Sequence, residues 1–162
     1  CILNIEMNGS KMMKKLTTIL LSTALLLSAP VSFANEAHLT AQKNKVIVTE
    51  FYQKLFGDKD LSAIDQYLTA DYIQHNPSVA DGAEAIKAAA KVWFKDAPKE
   101  KIDFLRVAAD GDLVFLHLKT KGDTGKDAAV VDIFRLKDGK IVEHWDVIQD
   151  VPEQSANAHP MF

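Results

Sequence analysis

The hydrophobic positions of the first half of the chain follow a helical period. From Lys43 to Gly57 the apolar residues recur at intervals of three and four, which predicts one face of an amphipathic helix: Val46, Ile47, Phe51, Leu55 and Phe56. The same spacing over 61–68 predicts a second, shorter helix, and 72–75 reads as a brief extended segment before a proline. A third helix is predicted from Ala83 to about Lys95.

After the third helix the period changes to that of strands. Four runs rich in β-branched and aromatic residues follow, at 101–109, 113–121, 128–137 and 140–148. Short segments containing Asp and Gly separate them, as expected of turns between antiparallel strands. Three N-terminal helices followed by such a meander predict an α+β fold, with the helices packed on one face of a curved, mostly antiparallel sheet.

The turn of the last predicted hairpin decides which polar residues share a face of the sheet. A three-residue loop closed by Gly139 pairs Asp132 with His144 and directs both of them, with Asp146, to one face. A two-residue turn pairs Asp132 with Trp145 instead and leaves His144 and Asp146 on the other face. The three-residue loop is favoured because a type I turn closed by a glycine suits Lys-Asp-Gly-Lys.

The polar residues of this sheet are candidates for catalysis. Asp132 and Asp146 are costly charges under a layer of helices unless they are paired or shifted in pKa, and such groups mark functional sites. The structural alternative is an ion pair such as Asp132 with Arg135 on an exposed face. His117 interrupts an apolar strand and His75 ends the extended segment; each alone is commonly structural, but together with the carboxylates they indicate a site.

Other chemistries lack their sequence signatures. The only short ligand spacing is that of His144 and Asp146, so no metal is predicted. There is no nucleophile elbow, phosphate-binding glycine loop or dinucleotide fingerprint, so no cofactor is predicted. Aromatic residues, together with His75, are the candidates for lining an apolar binding cavity: Phe51, Tyr72, Trp93, Phe94, Phe115 and Phe134.

The N-terminal segment has the composition of a secretory signal peptide. Three lysines precede an apolar run, 16–27, which is shorter than the ~20 residues of a membrane-spanning helix. Small residues then predict cleavage after Ala34 and a periplasmic or secreted product. Residues 1–11 lie upstream of plausible start sites and are left out of the fold. The expected organisation is a leader at 1–34, one domain at 35–150 and a tail at 151–162.

Charge and cysteine content narrow the range of partners. Residues 1–34 hold three Lys and one Glu, so the rest carries 16 basic and 21 acidic residues, a net charge of −5. An acidic domain without a basic stripe is a poor binder of nucleic acid, and we expect no membrane contact after cleavage. The single cysteine, Cys1, lies in the leader, so thiol chemistry is not expected in the domain.

Several motifs together resemble the SnoaL-like polyketide cyclase family of the nuclear transport factor 2-like superfamily. The resemblance covers residues 43–150 and is carried by five motifs: 72–77, 81–82, 111–117, 131–135 and 138–146. It implies a cone-shaped α+β barrel, a homodimer joined through the outer face of the sheet, and aldol cyclisation without metal or cofactor. It also implies that Asp146 is the general acid/base, and that His75, His117 and Asp132 line the pocket.

This resemblance leaves the reaction open, because the scaffold supports many activities. One hypothesis is acid/base catalysis of the cyclase, isomerase or hydrolase type on a carbonyl compound: Asp146 takes a proton while His117 or His144 donates a hydrogen bond to the enolate. The alternative is a non-catalytic periplasmic module that binds a small apolar ligand.

Overall fold

The helices lie in the first part of the chain, where one strand interrupts them, and four further strands follow. The computed structural model describes residues 29–122 and 124–162, and the chain divides into two units, 1–38 and 39–162. In the first unit, the described residues are the start of a long helix, α1 (Ala29–Tyr52). Most of the predicted signal peptide, residues 1–28, lies outside the described residues. Within the described chain, no helix is long and apolar enough to cross a membrane.

The second unit contains the remaining elements. Helix α1 continues into a π-helical turn (Gln53–Gly57), followed by α2 (Ser62–Tyr67) and, after one strand, α3 (Ala83–Trp93). The strands are β1 (Leu68–Gln74), β2 (Arg106–Asp110), β3 (Leu113–Lys121), β4 (Asp127–Lys137) and β5 (Lys140–Asp150).

The five strands form one curved, open sheet in the order β1-β5-β4-β3-β2. Strand β1 runs parallel to β5, and the other neighbours are antiparallel. The predicted α+β class is confirmed. The predicted strand at 101–109 begins only at Arg106, because the preceding backbone bonds to the π-helical turn: Ile102 N–H donates to the side chain of Gln53, and Glu100 N–H to the carbonyl of Gly57.

The core lies between the helices and one face of the sheet. Helix α1 contributes Val48, Phe51 and Tyr52 to it, and the π-helical turn contributes Leu55, all of them buried. The predicted inward face of this helix was only partly right, because Val46 is 55% exposed. Each residue turns a helix by about 100°, so the true stripe includes Val48 and Tyr52 instead.

The turn between β4 and β5 contains two residues, so the predicted three-residue loop is wrong. Lys137 pairs with Lys140, and both intervening residues have positive φ, 50° at Asp138 and 76° at Gly139. Positive φ at both positions is the signature of a type I′ turn, whose twist matches that of the strands it joins. The dipeptide Asp138-Gly139 suits a type I′ turn better than the type I turn that was predicted, because aspartate and glycine adopt positive φ more readily than most residues.

A β-bulge follows this turn and resets the register. Leu136 pairs with Ile141, but Arg135 pairs with Glu143, so Val142 is the extra residue. Beyond the bulge, Asp132 pairs with Asp146, and neither predicted register has this pairing. The bulge returns His144 and Asp146 to the core face, from which a regular two-residue hairpin would exclude them.

Candidate functional site

Two aspartates and a histidine converge on the core face of β4 and β5. Asp132 is 5% exposed and His144 is 8% exposed, whereas Asp146 is half-buried. His144 Nε2 lies 3.0 Å from Asp132 Oδ1. One ligand atom from each of the three residues lies within 4.8 Å of the other two. We call these three residues the acid–histidine cluster.

The end of β1 supplies two amide side chains to this cluster. Because β1 runs parallel to β5, Gln74 lies beside His144, and its Oε1 is 2.8 Å from His144 Nδ1. Asn76 Nδ2 donates to Asp146 Oδ2 at 2.7 Å. Sequence reasoning did not assign Gln74 or Asn76 to the site. Their position at the end of a strand next to the last strand was the available signal.

Aromatic side chains surround the cluster on the helix side. The ring of Phe134 lies 4.7 Å from that of His144, and the ring of Phe51 lies 5.9 Å from Phe134. Both phenylalanines are buried, as is Tyr72. These three of the predicted binding residues therefore lie with the cluster or directly behind it.

Two buried tyrosines next to the cluster are held in their neutral form. Burial raises the pKa of Tyr52, and the negative charge of Asp132 raises it further. Burial likewise raises the pKa of Tyr72, with added effects from Asp132 and Asp146. A carboxylate disfavours a second negative charge beside it. Tyr52 was missed by sequence reasoning because the predicted helix face omitted it.

The acidic groups of the cluster lack a permanent cationic partner. Among the described residues, no lysine or arginine pairs with Asp132 or Asp146, and Asp132 Oδ2 is buried without a hydrogen-bond partner. Such an orphaned acceptor costs about 1–3 kcal/mol. By composition, one imidazole nitrogen and two carboxylates could also hold a divalent cation. Either a proton or a ligand donor would relieve this accumulation of charge.

His117 lies on the opposite face of the sheet. Its strand neighbour Leu116 pairs with Asp132 and is fully buried, so the pleat turns His117 away from the cluster. There its Nδ1 lies 2.9 Å from Arg106 Nη1. The prediction that His117 lines the site is wrong for this reason. Phe115 shares that outer face and is excluded by the same parity.

His75 also faces outward, in a different ionic group. Its ring stacks on Trp145 at 4.6 Å, and its Nε2 lies 2.8 Å from Glu143 Oε1. Arg135 donates to the other oxygen of Glu143 at 2.9 Å. These bonds, first from His75 and then from Arg135, lower the pKa of Glu143. The prediction that His75 lines the same site as Asp132 is wrong, because the chain alternates faces between Gln74 and His75.

The predicted aromatic cavity is not formed as a unit. Trp93 is 47% exposed at the end of α3, and Phe115 lies on the outer face of the sheet. Two hollows of about 310 and 650 Å³ lie elsewhere, and none of their lining residues belongs to the acid–histidine cluster. The acid–histidine cluster therefore lies apart from both hollows, and Asp146 is its half-buried member.

Comparisons with known proteins agree with this architecture. The sequence profile of the SnoaL-like domain matches residues 48–144. A search of curated proteins found no match. A solved NTF-2 like protein of unknown function from Burkholderia xenovorans LB400 superposes with a TM-score of 0.57 at 18% identity, covering 73% of this chain and 91% of its own.

Two further solved structures show the same fold with different chemistry. A protein assigned as a SnoaL-like polyketide cyclase, from Jannaschia sp. CCS1, has a TM-score of 0.55 at 22% identity, covering 67% of this chain and 87% of its own. An LEH-like epoxide hydrolase from M. tuberculosis has a TM-score of 0.54 at 18% identity, covering 67% and 84%. At these identities the likeness concerns the fold alone.

Proposed function

The chain belongs to the SnoaL-like domain family, and on that premise we propose that it binds a small carbonyl compound and catalyses proton transfer without a cofactor. The base is Asp146, and the Asp132–His144 pair and the neighbouring tyrosines stabilise the charge that develops on the carbonyl oxygen. The aldol cyclase and isomerase reactions of the sequence hypothesis share this step, whereas in a hydrolase reaction the same base would take its proton from the attacking water.

The observation that carries this proposal is the unequal surroundings of the two paired carboxylates. Asp132 is buried against His144, whereas Asp146 is half-buried and accepts a hydrogen bond from Asn76. Asp146 is therefore the carboxylate that a substrate can reach as a base, whereas Asp132 lies close enough to His144 to share a proton with it.

The chemistry follows from these positions. The substrate C–H bond next to the carbonyl breaks, its proton passes to the Asp146 carboxylate, and its electron pair forms an enolate. A neutral hydroxyl of Tyr52 or Tyr72, or the proton of the Asp132–His144 pair, donates a hydrogen bond to the enolate oxygen. Donors prearranged in a buried site stabilise such charge without reorganisation.

The Asp146→Asn variant tests this function. We expect the wild-type protein to exchange α-protons of small ketones and β-keto esters in heavy water, measured by NMR. The variant should exchange them at least about a hundredfold more slowly, because general base catalysis contributes that much. Asp138→Asn is a matched control in the exposed turn of the same hairpin and should keep the wild-type rate.

Two results would contradict the catalytic proposal. Undiminished exchange by Asp146→Asn removes Asp146 from its role. Specific binding of ketones by the wild type without any exchange would support the binding-module alternative. Two of the residues predicted to line the apolar cavity of that binding module, Trp93 and Phe115, lie outside the cluster.

We also propose that the protein is exported and assembles as a homodimer. The lysine-led apolar run at 16–27 supports a signal peptide, so the mature protein recovered from a periplasmic extract should begin at Asn35. Full-length protein confined to the cytoplasm would contradict this.

The dimer is supported by valines exposed on the outer face of the sheet, Val131 at 37% and Val147 at 66%.

A further inference from the structure

The orientation of the Gln74 side-chain amide is set by the backbone. Its Oε1 accepts a hydrogen bond from the N–H of Asn76 at 2.9 Å, and its Nε2 donates to the hydroxyl of Tyr72 at 3.2 Å. A backbone N–H can only donate, so the atom facing it must be the amide oxygen. The same oxygen lies 2.8 Å from Nδ1 of His144.

This arrangement fixes the proton on His144. An oxygen that only accepts requires a hydrogen on Nδ1, so a neutral His144 has its lone pair on Nε2. That nitrogen lies 3.0 Å from Asp132 Oδ1. A carboxylate and a lone pair cannot bond to each other, so the contact requires one further proton between Asp132 and His144. The proton belongs to the pair, whichever atom carries it.

We propose that Gln74 is a positioning residue, which holds His144 in the tautomer protonated at Nδ1 and thereby places one exchangeable proton on the Asp132–His144 pair beside Asp146. The inference rests on the proposed function for its consequence in catalysis, but the tautomer stands independently of it. The other ionisable groups that face the pair are Asp146, Tyr52 and Tyr72.

The segment Gln74–Asn76 contacts both partners of the proposed proton transfer, the Asp132–His144 pair and Asp146. Gln74 directs the proton of the pair through Nδ1 of His144, and Asn76, two residues later, donates to Asp146. The acid and the base are therefore aligned from one strand end, Gln74–Asn76. A substitution of Gln74 should therefore disturb the Asp132–His144 pair and leave the hydrogen bond from Asn76 to Asp146 in place.

The experiment is a long-range ¹H–¹⁵N correlation NMR spectrum of the full chain labelled at histidine and dialysed against a chelator. His144→Gln assigns the His144 signals. In the wild type, we expect the signature of a ring protonated at Nδ1, either as the neutral tautomer or as the imidazolium, throughout the folded pH range. A neutral His144 protonated at Nε2 would overturn the proposal without any variant.

Two substitutions at Gln74 complete the test. Gln74→Leu removes the acceptor and should release His144 to the other tautomer or to a mixture, with kcat about a hundredfold lower and a changed pH profile. Gln74→Glu keeps an oxygen facing Nδ1 and should restore the tautomer. His117→Gln, on the outer face, should leave the His144 signals unchanged.

The outcomes separate this inference from the proposed function. An unchanged Nδ1–H tautomer in folded Gln74→Leu overturns the positioning role, even if Asp146 proves to be the base. A tautomer that changes in Gln74→Leu, combined with full activity of Asp146→Asn, supports the positioning role and refutes the proposed function. If Gln74→Leu does not fold, the wild-type tautomer and that of Gln74→Glu decide the question.

Discussion

At the scale of single residues, the molecule places two neutral phenols beside two acids. Tyr52 and Tyr72 are buried, and the charges of Asp132 and Asp146 oppose their ionisation. Asp132 and Asp146 themselves face each other across β4 and β5. Tyrosine was not among the candidate donors predicted from sequence, because the pKa of a phenol reports its burial, which only the fold determines.

The raised pKa of Tyr72 predicts a loss of stability at alkaline pH. The folded state keeps a proton that the unfolded state releases near the ordinary pKa of about 10. The unfolded state therefore binds fewer protons above that pH, and stability, complete below about pH 10, falls as pH rises. Each such group lowers the free energy of unfolding by up to about 1.4 kcal/mol per pH unit.

Absorbance and circular dichroism can be followed together to check this expectation. The phenolate bands of Tyr52 and Tyr72 should appear only as the dichroism of the folded state is lost. Tyr72→Phe should make the decline of the unfolding free energy with pH less steep. Reversible ionisation of both residues near pH 10 in a folded protein would show that they are not held neutral.

At the scale of elements, the site depends on the β4–β5 hairpin. A shared face for Asp132, His144 and Asp146 was predicted from the sequence, but the observed register is neither of the two that were predicted. The type I′ turn alone would have placed Glu143 and Trp145 inward, and the bulge at Val142 reverses that choice. A bulge has no simple periodic signature, so the pattern of alternation could not reveal it.

Other elements were predictable to the extent that their pattern is local. Strand β3 was predicted with its observed limits, 113–121, because its apolar run is long and the segments on either side of it contain glycine. The placement of Gln74 beside His144 was not predictable in this way. It depends on the parallel pairing of β1 with β5, two strands that are far apart in sequence.

Substitution of Gly139 tests the turn that begins this hairpin. Its φ of 76° is one that side chains with a β-carbon adopt at a cost, although a methyl group there would meet no neighbouring atom. Gly139→Ala should therefore lower the free energy of unfolding by about 1 kcal/mol through backbone strain alone. Gly139→Asn should lower it less, because asparagine enters the left-handed region more readily.

Urea denaturation measures both variants against the wild type. Equal stability of Gly139→Ala and wild type would mean that the turn relaxes into another type, such as the three-residue loop. The position is exposed and lies outside the acid–histidine cluster. The activity proposed for Asp146 should therefore survive in both variants as long as they are folded.

At the scale of the whole molecule, the two faces of the sheet differ in what they present. The inner face holds the core and the acid–histidine cluster, whereas the outer face presents exposed valines alongside the ionic contacts of His75 and His117. Val131 and Val147 are paired neighbours on that outer face, and the ring of Trp145 lies nearby under His75. A second copy of the chain is the occupant that we propose for this face.

Val147→Lys tests the proposed dimer. A lysine at this position would bring two like charges into a symmetric interface and remove an apolar contact, so the variant should sediment as a monomer at concentrations where the wild type is a dimer. Val92→Lys is the matched control, since Val92 is 75% exposed but lies on α3 instead of the sheet. A wild-type monomer, or a dimer unaffected by Val147→Lys, would exclude this face as the interface. Because the acid–histidine cluster faces the opposite side, a monomeric Val147→Lys that retains ketone exchange would establish that each protomer carries a complete site.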